Sequence, residues 1–176
     1  MSETTKIHKA QAPKKLKFGI FVVSTSRYSQ LSKGQEIQDP SGDIIESSLT
    51  KAGYNVLFRK TIPDDKTMIS HSAKQSISSE NLDAVIFCGG TGVAPSDVTI
   101  ETLTPLMEKL LPGFGEIFRR LSYDHIGSPA VMSRATAGVA NGKAIFCLPG
   151  SPDAVQLCLS NLILPETGHI VKHARE

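Results

Sequence analysis

Val85-Ile86-Phe87-Cys88-Gly89-Gly90-Thr91-Gly92 is the stretch that decides the fold of this chain. A short apolar, β-branched run stops abruptly in glycines and continues through Val93-Ala94-Pro95-Ser96-Asp97-Val98-Thr99 into a helix-like segment from Ile100 to Leu111. An apolar run bounded in this way reads as a strand buried on both faces, feeding a loop and then a helix, as in a parallel sheet. Glycines at the strand's end let backbone N–H groups turn toward a ligand, and the following helix would aim its positive end at the same space. Phosphate suits such a cradle, while a tight turn without a ligand accounts equally well for the glycines alone. No Gly-Lys-Ser/Thr follows, so the loop is not a Walker P-loop, and Pro95 stands where the dinucleotide pattern needs its last glycine. Asp97 adds a carboxylate beside a loop suited to anions. That placement is repulsive unless a cation lies between, which suggests Mg²⁺; the bland role for Asp97 is capping the next helix.

Outward from this loop the same unit recurs. Phe18 to Val23 reads as a buried strand that empties into Ser24-Thr25-Ser26-Arg27-Tyr28-Ser29, a hydroxyl-rich loop with one guanidinium. Asp39-Pro40-Ser41-Gly42 is a turn, Asp43 to Ala52 an amphipathic helix, and Tyr54 to Phe58 a second strand. Ile62-Pro63-Asp64-Asp65 then places two carboxylates before a helix from Lys66 to Ser79, which either could cap. Asp83 to Cys88 is the third strand. Pro112-Gly113-Phe114-Gly115 breaks the helix after the glycine loop, and another begins at Glu116. Pro129 to Ala135 is a short strand or a loop, in which Arg134 is a surface residue or an anion contact. Lys143 to Leu148 is the last strand, and it ends in Pro149-Gly150-Ser151-Pro152-Asp153. There Ser151 is placed to cap the final helix.

Repeated βα units with right-handed crossovers predict a three-layer α/β fold: a mostly parallel, twisted sheet with helices on both faces. Ligands of such folds bind beyond the carboxyl ends of the strands, so the loops at Ser24, Asp64, Gly89 and Pro149 are expected to meet in one crevice. One domain, residues 17–165, is expected between a flexible basic arm at 1–16 and a polar tail at 166–176.

Composition narrows the function. With 20% charged residues, a formal net charge of +2, 6% aromatics and no tryptophan, the chain lacks both the basic excess and the stacking rings of a nucleic-acid binder. Cys88, Cys147 and Cys158 lie in apolar runs without CxxC spacing and read as reduced core thiols. His8, His71, His125, His169 and His173 are read as surface residues; no HExxH segment occurs and no zinc site is expected. A polar, lysine-rich beginning and the absence of a long apolar run predict a cytoplasmic protein with no membrane contact.

Several of these segments occur together in one family. Ile62-Pro63-Asp64-Asp65, Gly89-Gly90-Thr91-Gly92 with Asp97-Val98-Thr99, Pro112-Gly113-Phe114-Gly115-Glu116, Ser133-Arg134-Ala135 and Leu148-Pro149-Gly150-Ser151-Pro152 resemble, in that order, the MoaB/MogA family of molybdenum cofactor biosynthesis proteins. Asp39-Pro40-Ser41-Gly42 is similar to the family's D-x-S-G segment, and the run from Phe114 to Ala135 looks closest to the B branch. The chain departs from the pattern at Ser26-Arg27, where many relatives have Ser-Asp, and at Ile100, where a proline is common.

The resemblance implies a molybdopterin-binding domain and Mg²⁺-dependent adenylylation of molybdopterin by ATP. Asp64 and Asp97 match the family's two functional acids, as catalytic and metal-holding groups. Gly89, Gly90, Thr91, Gly92, Pro149, Gly150 and Ser151 would hold nucleotide or pterin phosphates, and Ser24, Ser26, Ser41, Ser133 and Arg134 the pterin side. The resemblance also implies a homo-trimer or homo-hexamer and a downstream molybdate-inserting partner. The alternative is a protein of the same pathway that binds molybdopterin without chemistry. A flavodoxin-like electron carrier would need rings to flank a flavin, for which Tyr28 and Tyr123 are the few candidates.

Overall fold

The computed structural model describes Pro13 and residues 15–176, so most of the expected basic arm lies outside the described residues. Strand β1 (Lys17–Val23) leads to α1 (Thr25–Ser32), α2 (Pro40–Lys51), β2 (Asn55–Ile62), α3 (Lys66–Ser78) and β3 (Ala84–Cys88). Helix α4 (Thr99–Leu103), a 3₁₀ turn at Thr104–Leu106, β4 (Lys109–Leu110) and α5 (Pro112–Ile126) follow. A 3₁₀ turn at Ser128–Met132 then precedes β5 (Thr136–Ala140) and β6 (Lys143–Leu148). The last elements are α6 (Pro152–Cys158), a π-helical turn at Leu159–Ile163 and α7 (Leu164–Ala174).

One six-stranded sheet has the order β2-β1-β3-β6-β5-β4. Its first four strands run parallel, while β5 is antiparallel to β6 and β4 to β5. The mostly parallel, three-layer α/β fold is therefore as the βα repeat predicts. β3 and β6 are buried along their whole length and β1 at all but its first residue, which is why they read as continuous apolar runs. Alternation sorts their side chains: Ile20, Ile86 and Phe146 pack under α2, α5, α6 and α7, whereas Phe21, Phe87 and Ile145 pack under α3 and α4. Among the described residues no helix is long and apolar enough to cross a membrane.

Several boundaries differ from the sequence reading. Leu16, assigned to the arm, is buried beside Phe18, and its carbonyl accepts the Asn55 N–H at 2.8 Å. The hydroxyl loop after β1 is the first turn of α1, because the Ser24 Oγ accepts the Arg27 N–H and caps it. Helix α2 starts at Pro40 for the same reason, with the Asp39 carboxylate accepting the Gly42 N–H at 3.1 Å. Ile100 to Leu111 is not one helix: α4 gives way at Thr104–Leu106, around Pro105, and the chain then extends to pair with β5.

β5 leaves little hydrophobic signal in the sequence, because Thr-Ala-Gly-Val-Ala is made mostly of small side chains. The two-residue turn that joins it to β6, Asn141-Gly142 with φ of 47° and 69°, is a strong hairpin signature that the sequence did contain. The polar tail is α7, which buries Thr167, Gly168 and Val171. Its Pro165 follows a π-helical turn, which loosens the ladder where the proline has no N–H to give. Beyond it, Arg175 pairs with Asp83 at 2.6 Å and donates to the Gly142 carbonyl at 3.1 Å, closing the edge where β3 and β6 begin.

Candidate functional site

At the opposite edge β1, β3 and β6 end side by side at Val23, Cys88 and Leu148. Gly89 adopts φ +112°, and a side chain there would overlap the Val23 carbonyl; Gly90 adopts φ +61°, and a side chain there would overlap the Asp64 carboxylate and the Thr99 hydroxyl. Only glycine fits either position. The loop is held back against α4 by Thr99, fully buried, whose Oγ1 donates to Gly89 O at 2.9 Å and whose N–H donates to Gly90 O at 3.0 Å.

The two acids flank this loop. On one side Asp65 caps α3 by accepting the Met68 N–H at 2.8 Å, which frees Asp64 for another contact. Asp64 Oδ2 accepts the N–H of Thr25 at 3.0 Å and its hydroxyl at 3.2 Å, so the carboxylate is fixed on the first turn of α1. On the other side Asp97 does not cap α4, whose N-cap is Val98 without a side-chain bond. Its Oδ2 accepts the Ala94 N–H at 2.9 Å, and a Cβ on Gly92 would sit 2.6 Å from the same oxygen. Each carboxylate thus spends one oxygen on its own scaffold, and neither joins an ion pair among the described residues.

A cavity of about 1010 Å³ opens over the loop. Ser24, Asp64, Gly89, Gly90, Thr91, Gly92, Asp97, Ser133, Arg134, Pro149, Gly150 and Ser151 all line it, so residues spread over most of the sequence converge as expected. Ser26 and Ser41 do not. The Ser26 hydroxyl lies 3.2 Å from that of Ser24, and Ser41, 1% exposed, donates to Gly150 O at 2.8 Å. Ser41 therefore holds the Pro149–Ser151 turn from beneath. Ser151 heads α6 but makes no cap with its side chain, contrary to the sequence reading. Cys88 Sγ lies under Pro149 O at 3.4 Å, and burial pushes its thiol up to about 12.

Among the described residues, two guanidiniums reach the cavity. Arg27 is steered by Gln38 O, on its Nε at 3.0 Å, and by Asp39 Oδ1 at 3.7 Å. Arg134 is engaged by Glu101; burial would lift that carboxyl, but the guanidinium outweighs it and holds the group below its ordinary value. Sequence reasoning missed Asp153, Gln156, Ser160 and Asn161, which recur at helical spacing and turn one face of the α6 region to the cavity. Their period was legible, but the opposite apolar face drew the reading. Ser122 and His125 on α5 line the cavity from the far side and were also missed.

Asp64 and Asp97 each keep a second carboxylate oxygen beside the glycine loop, and no group of three or more His, Cys, Asp or Glu side chains that could hold a metal ion occurs among the described residues. A divalent ion at these two acids would have to complete its shell with water and substrate phosphates, as Mg²⁺ does.

Residues 19–169 match the family described as "Probable molybdopterin binding domain". The chain is 44% identical over 170 residues to molybdenum cofactor biosynthesis protein B of Bacillus subtilis (strain 168), with 96% of each chain covered. It is 42% identical over 163 residues to the probable molybdopterin adenylyltransferase of Methanocaldococcus jannaschii, covering 93% of this chain and 96% of that one. A solved structure of molybdenum cofactor biosynthesis protein B superposes with a TM-score of 0.85 at 39% identity, over 94% of this chain and 99% of the other. With motif order, sheet topology and cavity all in agreement, the chain belongs to the MoaB/MogA family of molybdopterin-binding domains, in its B branch.

Proposed function

We propose that this chain transfers the adenylyl group of ATP to molybdopterin, giving adenylylated molybdopterin and pyrophosphate in molybdenum cofactor biosynthesis. A relative at 42% identity carries the name of that activity. The observation that carries the reading is the bracket of two carboxylates, Asp64 and Asp97, on either side of Gly90–Gly92 at the wall of a cavity large enough for two substrates.

An oxygen of the molybdopterin phosphate attacks the α-phosphorus of ATP, a new P–O bond forms, and the bond from that phosphorus to the β-phosphate bridge breaks. The attacking phosphate enters as an anion, so no proton has to be removed from it. Catalysis is then positioning and charge compensation. The glycine loop lets phosphate oxygens approach the backbone, Arg27 offers a guanidinium to an anion, and the first turn of α1 fixes Asp64. When bound at Asp64 and Asp97, Mg²⁺ would offset charge that develops on the phosphates.

The test mixes purified protein, molybdopterin, ATP and Mg²⁺ and looks for adenylylated pterin by mass spectrometry. Turnover in Asp64→Ala and Asp97→Ala equal to the parent's would overturn the assignment. Pterin affinity that ignores Mg²⁺ and survives loss of either acid, with no product, would instead identify a binding protein of the pathway. The same reading extends to assembly as a homo-trimer or homo-hexamer. Tyr123, Ile126, Val131 and Met132 are 62, 55, 83 and 58% exposed on one stretch, an apolar surface suited to a second copy. Light scattering gives the stoichiometry.

A further inference from the structure

Ser24 and Arg27 line the cavity, while Thr25 between them turns its side chain to Asp64. The Thr25 hydroxyl accepts the Asp64 N–H at 3.0 Å and donates to Asp64 Oδ2 at 3.2 Å, and the Thr25 N–H donates to the same oxygen at 3.0 Å. An amide N–H can only donate and an ionised carboxylate can only accept, so the direction of all three bonds is fixed. The single hydroxyl proton goes to Oδ2, and an oxygen lone pair takes the Asp64 N–H.

Oδ2 is thereby engaged by two donors, and Oδ1 is left beside Gly90, where a side chain on the loop would overlap it. Asp97 is held differently, by the Ala94 N–H three positions back in its own loop. The anchor of Asp64 lies 39 positions away, on another element. Helix α1 buries none of its residues, so its first turn is held against the acid by hydrogen bonds and not by a core face. The Ser24 N–H donates to Ile62 O at 2.8 Å and brings the ends of β1 and β2 together, but a backbone bond does not choose how the carboxylate is turned. The Thr25 hydroxyl, which touches both the backbone and the side chain of Asp64, does.

We propose that Thr25 is the positioning residue for Asp64: its hydroxyl sets the rotation of the carboxylate so that Oδ1 stands over the glycine loop. The inference rests on the adenylyl-transfer reading in so far as Asp64 acts there on bound phosphates. Thr25→Val exchanges the hydroxyl for a methyl group with little change of shape. It keeps the N–H bond to Oδ2 and loses the other two, so the carboxylate is free to turn and Oδ1 spends less time at the loop. Thr25→Ser keeps the hydroxyl. Thr25 is exposed, so both variants should fold.

Three measurements on the full chain test this. In a crystal structure of Thr25→Val the Asp64 carboxylate should be turned from Gly90, and in Thr25→Ser it should keep its place. Affinity for Mn²⁺, a paramagnetic stand-in for Mg²⁺, is read by electron paramagnetic resonance with ATP present and should weaken by about 10- to 100-fold in Thr25→Val, as when a partner that orients a metal-holding group is lost. The kcat for adenylylated pterin should fall by a similar factor, with KM for molybdopterin and the melting temperature close to the parent's, and Thr25→Ser should recover most of both losses. An unmoved carboxylate in Thr25→Val, or Mn²⁺ affinity and kcat equal to the parent's, overturns the proposal. An equal loss in Thr25→Ser also overturns it, because the hydroxyl would then not be the group that acts. A parent that yields no adenylylated pterin refutes the adenylylation reading alone, and the position of the carboxylate then decides the role of Thr25.

Discussion

Two groups of carboxylates among the described residues meet different fates. Asp39, Asp43 and Glu46, at the start of α2, surround Arg59, which donates through Nε to Asp39 at 3.1 Å and through Nη1 to Asp43 at 2.7 Å. Burial opposes the charge on Arg59, but the acids outweigh it and its pKa is raised. Asp39, with a 4% exposed side chain, is thereby neutralised inside the protein. Asp64 and Asp97 have backbone and hydroxyl donors but no ion-pair partner among the described residues. The first arrangement is closed by a guanidinium, whereas the second lies in the wall of the cavity. Arg27 joins the two regions, touching Asp39 while lining the cavity.

The largest effect expected from this contrast is on turnover. Asp97→Asn keeps an oxygen to accept the Ala94 N–H but removes the charge, and should lower the adenylylation rate by about 10²–10³-fold, or about 2.7–4 kcal/mol, with the melting temperature nearly unchanged. A full rate in this variant would make Asp97 a scaffold residue like Asp39 and dissolve the comparison. Arg59→Ala should act in the opposite sense. It leaves the buried Asp39 carboxylate with the Gly42 N–H and, as its remaining cation among the described residues, the more distant Arg27, costing about 3 kcal/mol in a urea melt while turnover stays close to the parent's in native conditions.

Sulfhydryl burial gives a third, pH-dependent expectation. Cys88 is raised from an ordinary 9.0 to about 12, mainly by burial, and Cys147 and Cys158 are raised for the same reason. The unfolded thiols ionise first, so the stabilisation is complete below about pH 9 and is lost as pH rises from there toward 12. Melting temperatures measured from pH 8 upward should therefore begin to fall near pH 9, and a Cys88→Ala variant should show a shallower fall. This loss belongs to the core and not to the acid pair.

What the sequence made legible follows from how local each signal is. The Val85–Gly92 run gave strand, turn and the parallel sheet, because an apolar stretch cut by glycines needs no distant partner to interpret. Asp64 and Asp97 were recognisable as candidates, yet which acid capped a helix was not: the choice between Asp64 and Asp65 depends on Thr25, 39 residues away. The β5 strand and the end of α4 were obscured by the same kind of dependence, since β4 and β5 exist by pairing with each other and with β6. α7 escaped because its apolar residues are few and a proline stands at its start, while the π-helical turn that accommodates that proline leaves no local sign.

Ser41 separates the two sources most finely, and its expected effect is the smallest. By resemblance it belongs to the pterin side, in which case Ser41→Ala would raise KM for molybdopterin strongly and leave stability alone. In the structure its hydroxyl is buried and spent on the Gly150 carbonyl, 109 residues along the chain, beneath the turn that walls the cavity. Removing it leaves that carbonyl short of a donor and should cost about 1 kcal/mol of stability. The turn would loosen without losing a ligand contact, so KM should rise only a few-fold, with ATP and molybdopterin affected together. Ser41→Thr retains the hydroxyl but brings a methyl group into a filled site, so it should lose stability by overpacking while keeping the Gly150 bond. A selective loss of molybdopterin affinity in Ser41→Ala, at unchanged melting temperature, would return this serine to the cavity and move the boundary between scaffold and site.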